Sequence, residues 1–223
     1  MSKISENILR FRESVEPKAT LIAVSKTKPI SDLEQAYETG QRHFGENKVQ
    51  EMTSKWEHLP KDIKWHMIGH VQRNKVKYMA PYVHLIHSVD SPRLLKEINK
   101  QAKNNDRVIN CLFQIHIAQE ENKFGFDEQE LLDYITSEAF KELSHVSITG
   151  LMGMATFTDD LDQIRKEFKS LSSLFFKLKE DYFTQDEFKE LSMGMTGDYK
   201  IAIEEGSTMV RIGSAIFGSR NTH

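Results

Sequence analysis

The chain has 223 residues, which is enough for one large domain with a hydrophobic core and leaves little for a second. Its 39% hydrophobic and 28% charged residues are typical of a globular protein. A net charge of −3 argues against binding to nucleic acid or to an anionic membrane, since both attract basic surfaces. We therefore expect one domain over residues 1–223 and no nucleic-acid or membrane partner.

Two further absences bear on the class of protein. Cys111 is the single cysteine, so an intramolecular disulfide is impossible and a cysteine-based zinc site is implausible. The first residues, Met1 to Glu6, lack the apolar run of a secretory leader, and no apolar stretch reaches the length of a membrane span. We expect a cytoplasmic location.

Short apolar runs rich in β-branched residues alternate with amphipathic stretches along the chain. Strict alternation of strands and helices favours a parallel sheet. Eight such units predict an α/β fold, a single (β/α)8 TIM barrel, and the doubly wound open sheet is the alternative. The predicted strands are Thr20–Ser25, Arg42–Gly45, Lys64–Gly69, Val83–Ser88, Val108–Ile117, Val146–Ala155, Glu190–Met193 and Thr208–Ile212.

The stretches between the strands carry helix signals. An additional N-terminal helix precedes the first strand, with apolar residues at helical spacing from Ile4 to Val15. The segment from Ser31 to Glu34 fits a capping box. Ser91 followed by Pro92 predicts an N-cap with proline in the first helical position. A long amphipathic helix is predicted from Leu161 to Leu178.

Lys26 ends the first predicted strand, in phase with Ile22 and Val24 on one face. Active sites of (β/α)8 barrels lie at the C-terminal ends of the strands. Burial disfavours the charged form of a lysine and leaves a nucleophilic amine that can attack a carbonyl. The alternative is a strand-end lysine that extends into water.

Glycine-rich turns with hydroxyl side chains follow the last two predicted strands, at 192–198 and 211–218. Such turns expose backbone N–H groups at the place where barrels commonly bind phosphate. The alternative is that the glycines only permit tight turns. If Arg211 faces the barrel it needs an acceptor, and as a pure donor it would leave a ring nitrogen unprotonated. Asn47, after the second strand, could cap a helix or contact a ligand.

The histidines do not predict a metal site. His66 and His70 are four residues apart, and His84 and His87 are three apart. Because the first pair spans the end of a strand, its members should not share a face as helical residues would. We also find too few carboxylate partners nearby, so no metal is expected.

With these residues in place, the sequence resembles the pyridoxal-phosphate homeostasis family, small relatives of the barrel domain of alanine racemase. The resemblance runs from the N-terminal helix to Arg220 and depends on the order and spacing of several blocks. These blocks are residues 23–29, 44–47, 65–75, 123–125, 150–152, 192–195, 202–203, 206–208, 210–213 and 216–220.

The resemblance implies that Lys26 holds pyridoxal 5′-phosphate as a Schiff base and that Arg211 faces the pyridine nitrogen. Asn47 would lie beside the cofactor. Thr196 stands where the family usually has serine, so the hydroxyl is kept. The residues implied to hold the phosphate are Ser192, Gly213 and Ser214.

Two functions from different classes follow from this resemblance. The first is a carrier that stores, delivers or buffers pyridoxal phosphate, with apoenzymes dependent on that cofactor as transient clients. The alternative is an amino-acid racemase, but alanine racemase takes its second base from an additional C-terminal domain. Tyr82, Tyr134 and Tyr199 are not at predicted strand ends and are poor candidates for such a base. We expect a monomeric carrier without catalytic residues.

Overall fold

The strands of the computed structural model, which describes residues 1–119, 124–183 and 186–219, form one closed parallel barrel. Strand β1 pairs with β2 on one side and with β8 on the other, a closure that an open doubly wound sheet lacks. The predicted (β/α)8 barrel is confirmed, with Lys123 and Arg220 of the resembling blocks outside the described residues. The strands are β1 Thr20–Val24, β2 His43–Glu46, β3 Lys64–Met67, β4 Leu85–Val89, β5 Ile109–Gln114, β6 Val146–Met152, β7 Glu190–Ser192 and β8 Met209–Ile212.

All eight predicted strands are present, but several end earlier than expected. The fifth stops at Gln114 and the sixth at Met152. Ile115 and Ala155 nevertheless remain buried beyond those ends. A hydrophobic run reports burial, whereas a strand ends where its ladder of backbone hydrogen bonds ends, so the apolar pattern overestimates strand length.

The helices also follow the predictions, with one correction. Ser91 caps its helix by accepting a hydrogen bond from the N–H of Leu94, as expected. The capping box at Ser31 is wrong, because the helix begins two residues earlier than an N-cap at Ser31 would place it, directly after Pro29, and has no side-chain cap. The helices are α1 Lys3–Val15, α2 Ile30–Glu38, α3 Val49–His58, α4 Val76–Met79, α5 Pro92–Asn104, α6 Glu128–Thr136, α7 Glu138–Lys141, α8 Leu161–Asp181, α9 Tyr199–Glu204 and α10 Ser214–Phe217.

Two apolar cores hold the fold together. The larger lies between the barrel and its helices and contains the fully buried rings of Trp65, Phe44 and Phe168. Each such side chain contributes roughly 1.5–3 kcal/mol through burial. The smaller core fills part of the barrel interior. Its members are Ile22, Leu85, Leu112, Met152 and Met209.

No helix in the described ranges is both long enough and apolar enough to span a lipid bilayer.

Gly150 marks the closest approach between β6 and β7, and its substitution should test the fold. Its φ is +153°, and an added Cβ would lie 1.7 Å from the carbonyl oxygen of Glu190. Because backbone cannot yield as a side chain can, we expect Gly150→Ala to destabilise the protein by about 3 kcal/mol or more. Urea unfolding measures the change.

Gly197→Ala is the matched control, since no atom lies within 4 Å of its added Cβ. We expect that variant to unfold at close to the wild-type urea concentration. Equal midpoints for the two variants would contradict the close approach at Gly150.

Candidate functional site

A cavity of about 880 Å³ opens at the C-terminal ends of the strands. This volume lies within the range of small-molecule sites, roughly 300–1,000 Å³. The cavity collects six of the seven residues predicted to bind a cofactor, which come from four separate parts of the chain. They are Lys26, Asn47, Thr196, Arg211, Gly213 and Ser214.

Lys26 lies half-buried in the turn after β1. The next residue, Thr27, has a φ of +64°, a left-handed conformation that is costly for a β-branched residue. The N–H of Thr27 donates to Oε1 of Glu51 at 2.5 Å, and Nζ of Lys28 donates to the carbonyl of Ser219 at 2.9 Å. These contacts fix the backbone on the C-terminal side of Lys26.

A buried charge network fixes the other side of the same turn. Nζ of Lys55 donates to Oε1 of Glu46 and Oε1 of Glu51, both at 2.7 Å, and to the carbonyl of Ser25 at 2.8 Å. The hydroxyl of Ser25 donates to Oε1 of Glu46 at 2.6 Å. The carbonyl of Ser25 bonds directly to the ammonium group of Lys55, and the N–H of Thr27 is connected to it through Glu51. The backbone on both sides of Lys26 is thereby fixed.

Glu46 is the member of this network whose charge is most opposed by burial. Burial raises the pKa of its carboxyl group to about 7, against the opposing effects of Lys55 and Ser25. Its second oxygen, Oε2, has no hydrogen-bond partner among the described residues. The carboxylate therefore depends on Lys55 for its charge balance.

Arg211 projects from β8 and is only 4% exposed. Its Nη1 donates to the hydroxyl of Ser192 at 2.6 Å, and its Nη2 donates to the carbonyl of Gly153 at 3.1 Å. Burial lowers the pKa of Arg211 to about 10, which leaves the guanidinium charged at neutral pH. Asp198, also on the cavity wall, acts against that shift. Arg211 therefore presents a fixed positive charge and N–H donors to the cavity.

Ser192 is the one predicted site residue that is not on the cavity lining. It is fully buried inside the barrel, where its hydroxyl accepts from Arg211 and lies 2.8 Å from Nδ1 of His87. In this position its evident role is to orient Arg211.

His87, His66 and His43 form a column of hydrogen-bonded imidazoles inside the barrel. Nε2 of His87 lies 2.7 Å from Nδ1 of His66, whose Nε2 lies 2.9 Å from Nδ1 of His43. Burial lowers the pKa of His43 to about 4 and lowers those of His66 and His87 well below the usual value. A neutral imidazole has one N–H, so the column has two fully bonded arrangements, running toward Ser192 or away from it.

The glycine-rich turns after β7 and β8 both lie on the cavity. A Cβ on Gly213 would lie 3.3 Å from the backbone oxygen of Val24, so the glycine lets the turn after β8 approach the end of β1. Ser214 and the residue after it open a helix, and their N–H groups have no partner within it. In the other turn, the N–H of Met195 donates to Oδ1 of Asp198 at 2.5 Å.

Asn47 belongs to the cavity rather than to a helix cap. The N-cap residue of α3 is Lys48, and no side chain caps that helix. A Cβ on Gly69 would lie 2.5 Å from the backbone oxygen of Asn47, so the turn after β3 packs directly against it. Because Asn47 does not cap α3, contact with a ligand is the remaining role predicted for it.

The loop after β6 supplies site residues that sequence reasoning missed, because the predicted strand extended through Ala155. Glu167 of α8 anchors this loop by accepting from the N–H and the hydroxyl of Thr156, at 2.7 and 2.8 Å. His70, in the turn after β3, also lines the cavity, and its Nδ1 lies 2.8 Å from Oδ2 of Asp90. Exposed apolar side chains surround the mouth of the cavity. They are Phe124, Met154, Phe157, Leu161 and Met195.

Comparison with known proteins gives a consistent result. Residues 1–221 match the family model of the alanine racemase N-terminal domain. The pyridoxal phosphate homeostasis protein of Pasteurella multocida is 38% identical, over 99% of this chain and 96% of that protein. PipY of Synechococcus elongatus without PLP has a TM-score of 0.90 at 34% identity, covering 96% of this chain and all of PipY. PipY with PLP bound has a TM-score of 0.87 at 33% identity, with the same coverage.

The charge network beneath Lys26 gives a stability prediction. Lys55→Met leaves the carboxylate of Glu46 buried without its cation, so we expect a loss of about 3–5 kcal/mol in the free energy of unfolding. Urea unfolding at neutral pH measures it. Lys177→Met removes an exposed pair with Glu128 and is the matched control, for which little change is expected. Similar stabilities for both variants would contradict the network.

Proposed function

The chain belongs to the family of pyridoxal phosphate homeostasis proteins with an alanine racemase N-terminal domain fold, and we propose that it is a carrier of pyridoxal 5′-phosphate. In this proposal it stores, delivers or buffers the cofactor for apoenzymes that need it. The observation that carries the proposal is the meeting of Lys26 and Arg211 in one cavity with two glycine-rich turns.

The donor set of the cavity fits the cofactor. Pyridoxal phosphate supplies an aldehyde, and the amine of Lys26 would condense with it, losing water to give a Schiff base. The N–H groups and hydroxyls at Thr196, Gly213 and Ser214 suit a phosphate dianion. The close approach of Gly213 to the end of β1 brings the two kinds of group to one side of the cavity.

Arg211 would face the ring nitrogen of the cofactor. A guanidinium has no acceptor and stays charged, so it would donate to the nitrogen and leave it unprotonated. An unprotonated ring withdraws electrons weakly and is a poor electron sink for bond breaking at an amino acid. Ser192 and Gly153, which hold the guanidinium, would keep it in this orientation. This arrangement supports holding the cofactor more than using it.

The three tyrosines weighed as a second racemase base lie elsewhere. The hydroxyl of Tyr82 bonds to Thr53 at 2.9 Å, and that of Tyr199 lies 3.4 Å from Ser14. Tyr134 packs among phenylalanine rings, and burial raises its pKa to about 12. Each therefore belongs to the outer packing of the barrel.

One observation favours the alternative of a racemase. His70 lines the cavity and its ring is bonded to the carboxylate of Asp90, as in many acid–base pairs. A racemase needs a proton donor or acceptor on each face of the substrate carbon, and His70 is the candidate for the face opposite Lys26. The two functions differ in turnover, which can be measured directly.

The first test is spectroscopic. We expect the purified protein to show a visible absorbance band that disappears on borohydride reduction, with the reduced label on Lys26 in peptide mapping. Lys26→Ala should lose the band. Lys28→Ala is the matched control, because Lys28 also reaches the cavity, and it should keep the band. A colourless wild type, or a label on Lys28, would disprove the assignment.

The second test separates carrier from enzyme. The wild type and His70→Asn are incubated for long periods with single L-amino acids, and the products are resolved by chiral chromatography. A carrier yields no D-isomer above the rate of free pyridoxal phosphate. Conversion at enzymatic rates that falls in His70→Asn would replace the carrier with the racemase.

A further inference from the structure

Three histidines meet at the end of the barrel opposite the Lys26 cavity. His43 begins β2, His66 lies within β3, and His84 directly precedes β4. One ring nitrogen from each lies within 4.8 Å of one from both others. The three ring centroids are 5.1, 5.4 and 5.9 Å apart. Neighbouring strands therefore build a compact cluster from residues that are far apart in sequence.

This cluster has the chemistry of a transition-metal site. Three imidazoles with an open fourth position are a recurrent ligand set for Zn²⁺. At the usual Zn–N length, tetrahedral ligand atoms lie about 3.3 Å apart. The nitrogens lie within 4.8 Å of one another rather than at that spacing, so the rings would rotate as the metal binds. Burial lowers the pKa of all three rings, so each is neutral and has a lone pair at neutral pH.

The surroundings supply a second layer of contacts and an entry path. Nδ1 of His66 faces Nε2 of His87 at 2.7 Å, so His66 can donate there while its Nε2 binds a metal. The metal would replace the hydrogen bond that Nε2 of His66 makes with Nδ1 of His43 at 2.9 Å, with the proton of that bond moved away. A cavity of about 770 Å³ at this mouth reaches His43 and admits water for the fourth position. Lys64 lowers the pKa of all three rings, so its charge also opposes a bound cation.

We propose that His43, His66 and His84 form a site for a divalent transition metal of the zinc type, separate from the cofactor cavity. The fourth ligand is water or an anion from the cavity at the N-terminal mouth. Basic side chains outnumber the two carboxylates of Glu16 and Glu190 on the lining of that cavity, and the excess suits an anionic ligand. The basic residues are Arg12, Lys18, Arg42, Lys64 and Lys189, of which Arg12 and Arg42 are paired with Glu16 and Asp62.

The test is titration of the purified, metal-stripped protein with Zn²⁺ by calorimetry, and with Co²⁺ by difference absorbance. We expect one Zn²⁺ per chain and the intense visible bands of tetrahedral Co²⁺. His84→Asn removes a half-exposed ligand and should weaken binding by more than about 100-fold. His87→Asn removes only the second-layer contact and should weaken it by about 10–100-fold.

Two matched variants complete the design. His58→Asn removes an exposed histidine on α3 and should bind Zn²⁺ as the wild type does. Lys26→Ala is titrated in parallel, so that cofactor absorbance does not interfere and the result does not depend on the cofactor proposal. No uptake by the wild type, or equal loss in His58→Asn and His84→Asn, would overturn the site.

Discussion

The closure of β8 on β1 is the constraint on which the site depends. The two strands pair in parallel from Thr20 with Met209 to Ala23 with Ile212. Parallel pairing brings the C-terminal ends of the first and last strands together, so Lys26 and Gly213 reach one cavity from opposite ends of the chain. The same register sets Arg211 beside Ile22. An open sheet with the same strands would leave these groups at different edges.

Polar side chains inside the barrel impose a second requirement. Arg211, Ser192, His87 and His66 are all buried, and a buried polar group is costly without a partner. The structure meets this cost by joining them into one column of hydrogen bonds. The orientation of Arg211 at one mouth is thereby connected with the protonation of imidazoles at the other. The network at Lys55 meets the same requirement beneath Lys26.

The sequence predicts the fold well because burial is encoded locally. Strands such as β1 and β5 are largely apolar runs, and Lys26 and the two glycine-rich turns are visible as short motifs. What could not be predicted depends on lateral register between strands. The family resemblance implies that Ser192 holds the phosphate, whereas in the structure its hydroxyl contacts Arg211 and His87. Lys55 has the pattern of a solvated helix residue, and only the fold shows that it is buried.

The contact between β7 and β8 is the thinnest junction of the barrel. It has a single register pair, Ser192 with Met209, whereas β8 meets β1 over four. A ligand held by Thr196 in the turn after β7 and by Ser214 in the turn after β8 would bridge this junction. Its binding free energy would then oppose local opening of the last strand. The bound ligand would thus stabilise the barrel that holds it, and the empty protein would be the form more readily attacked by proteases.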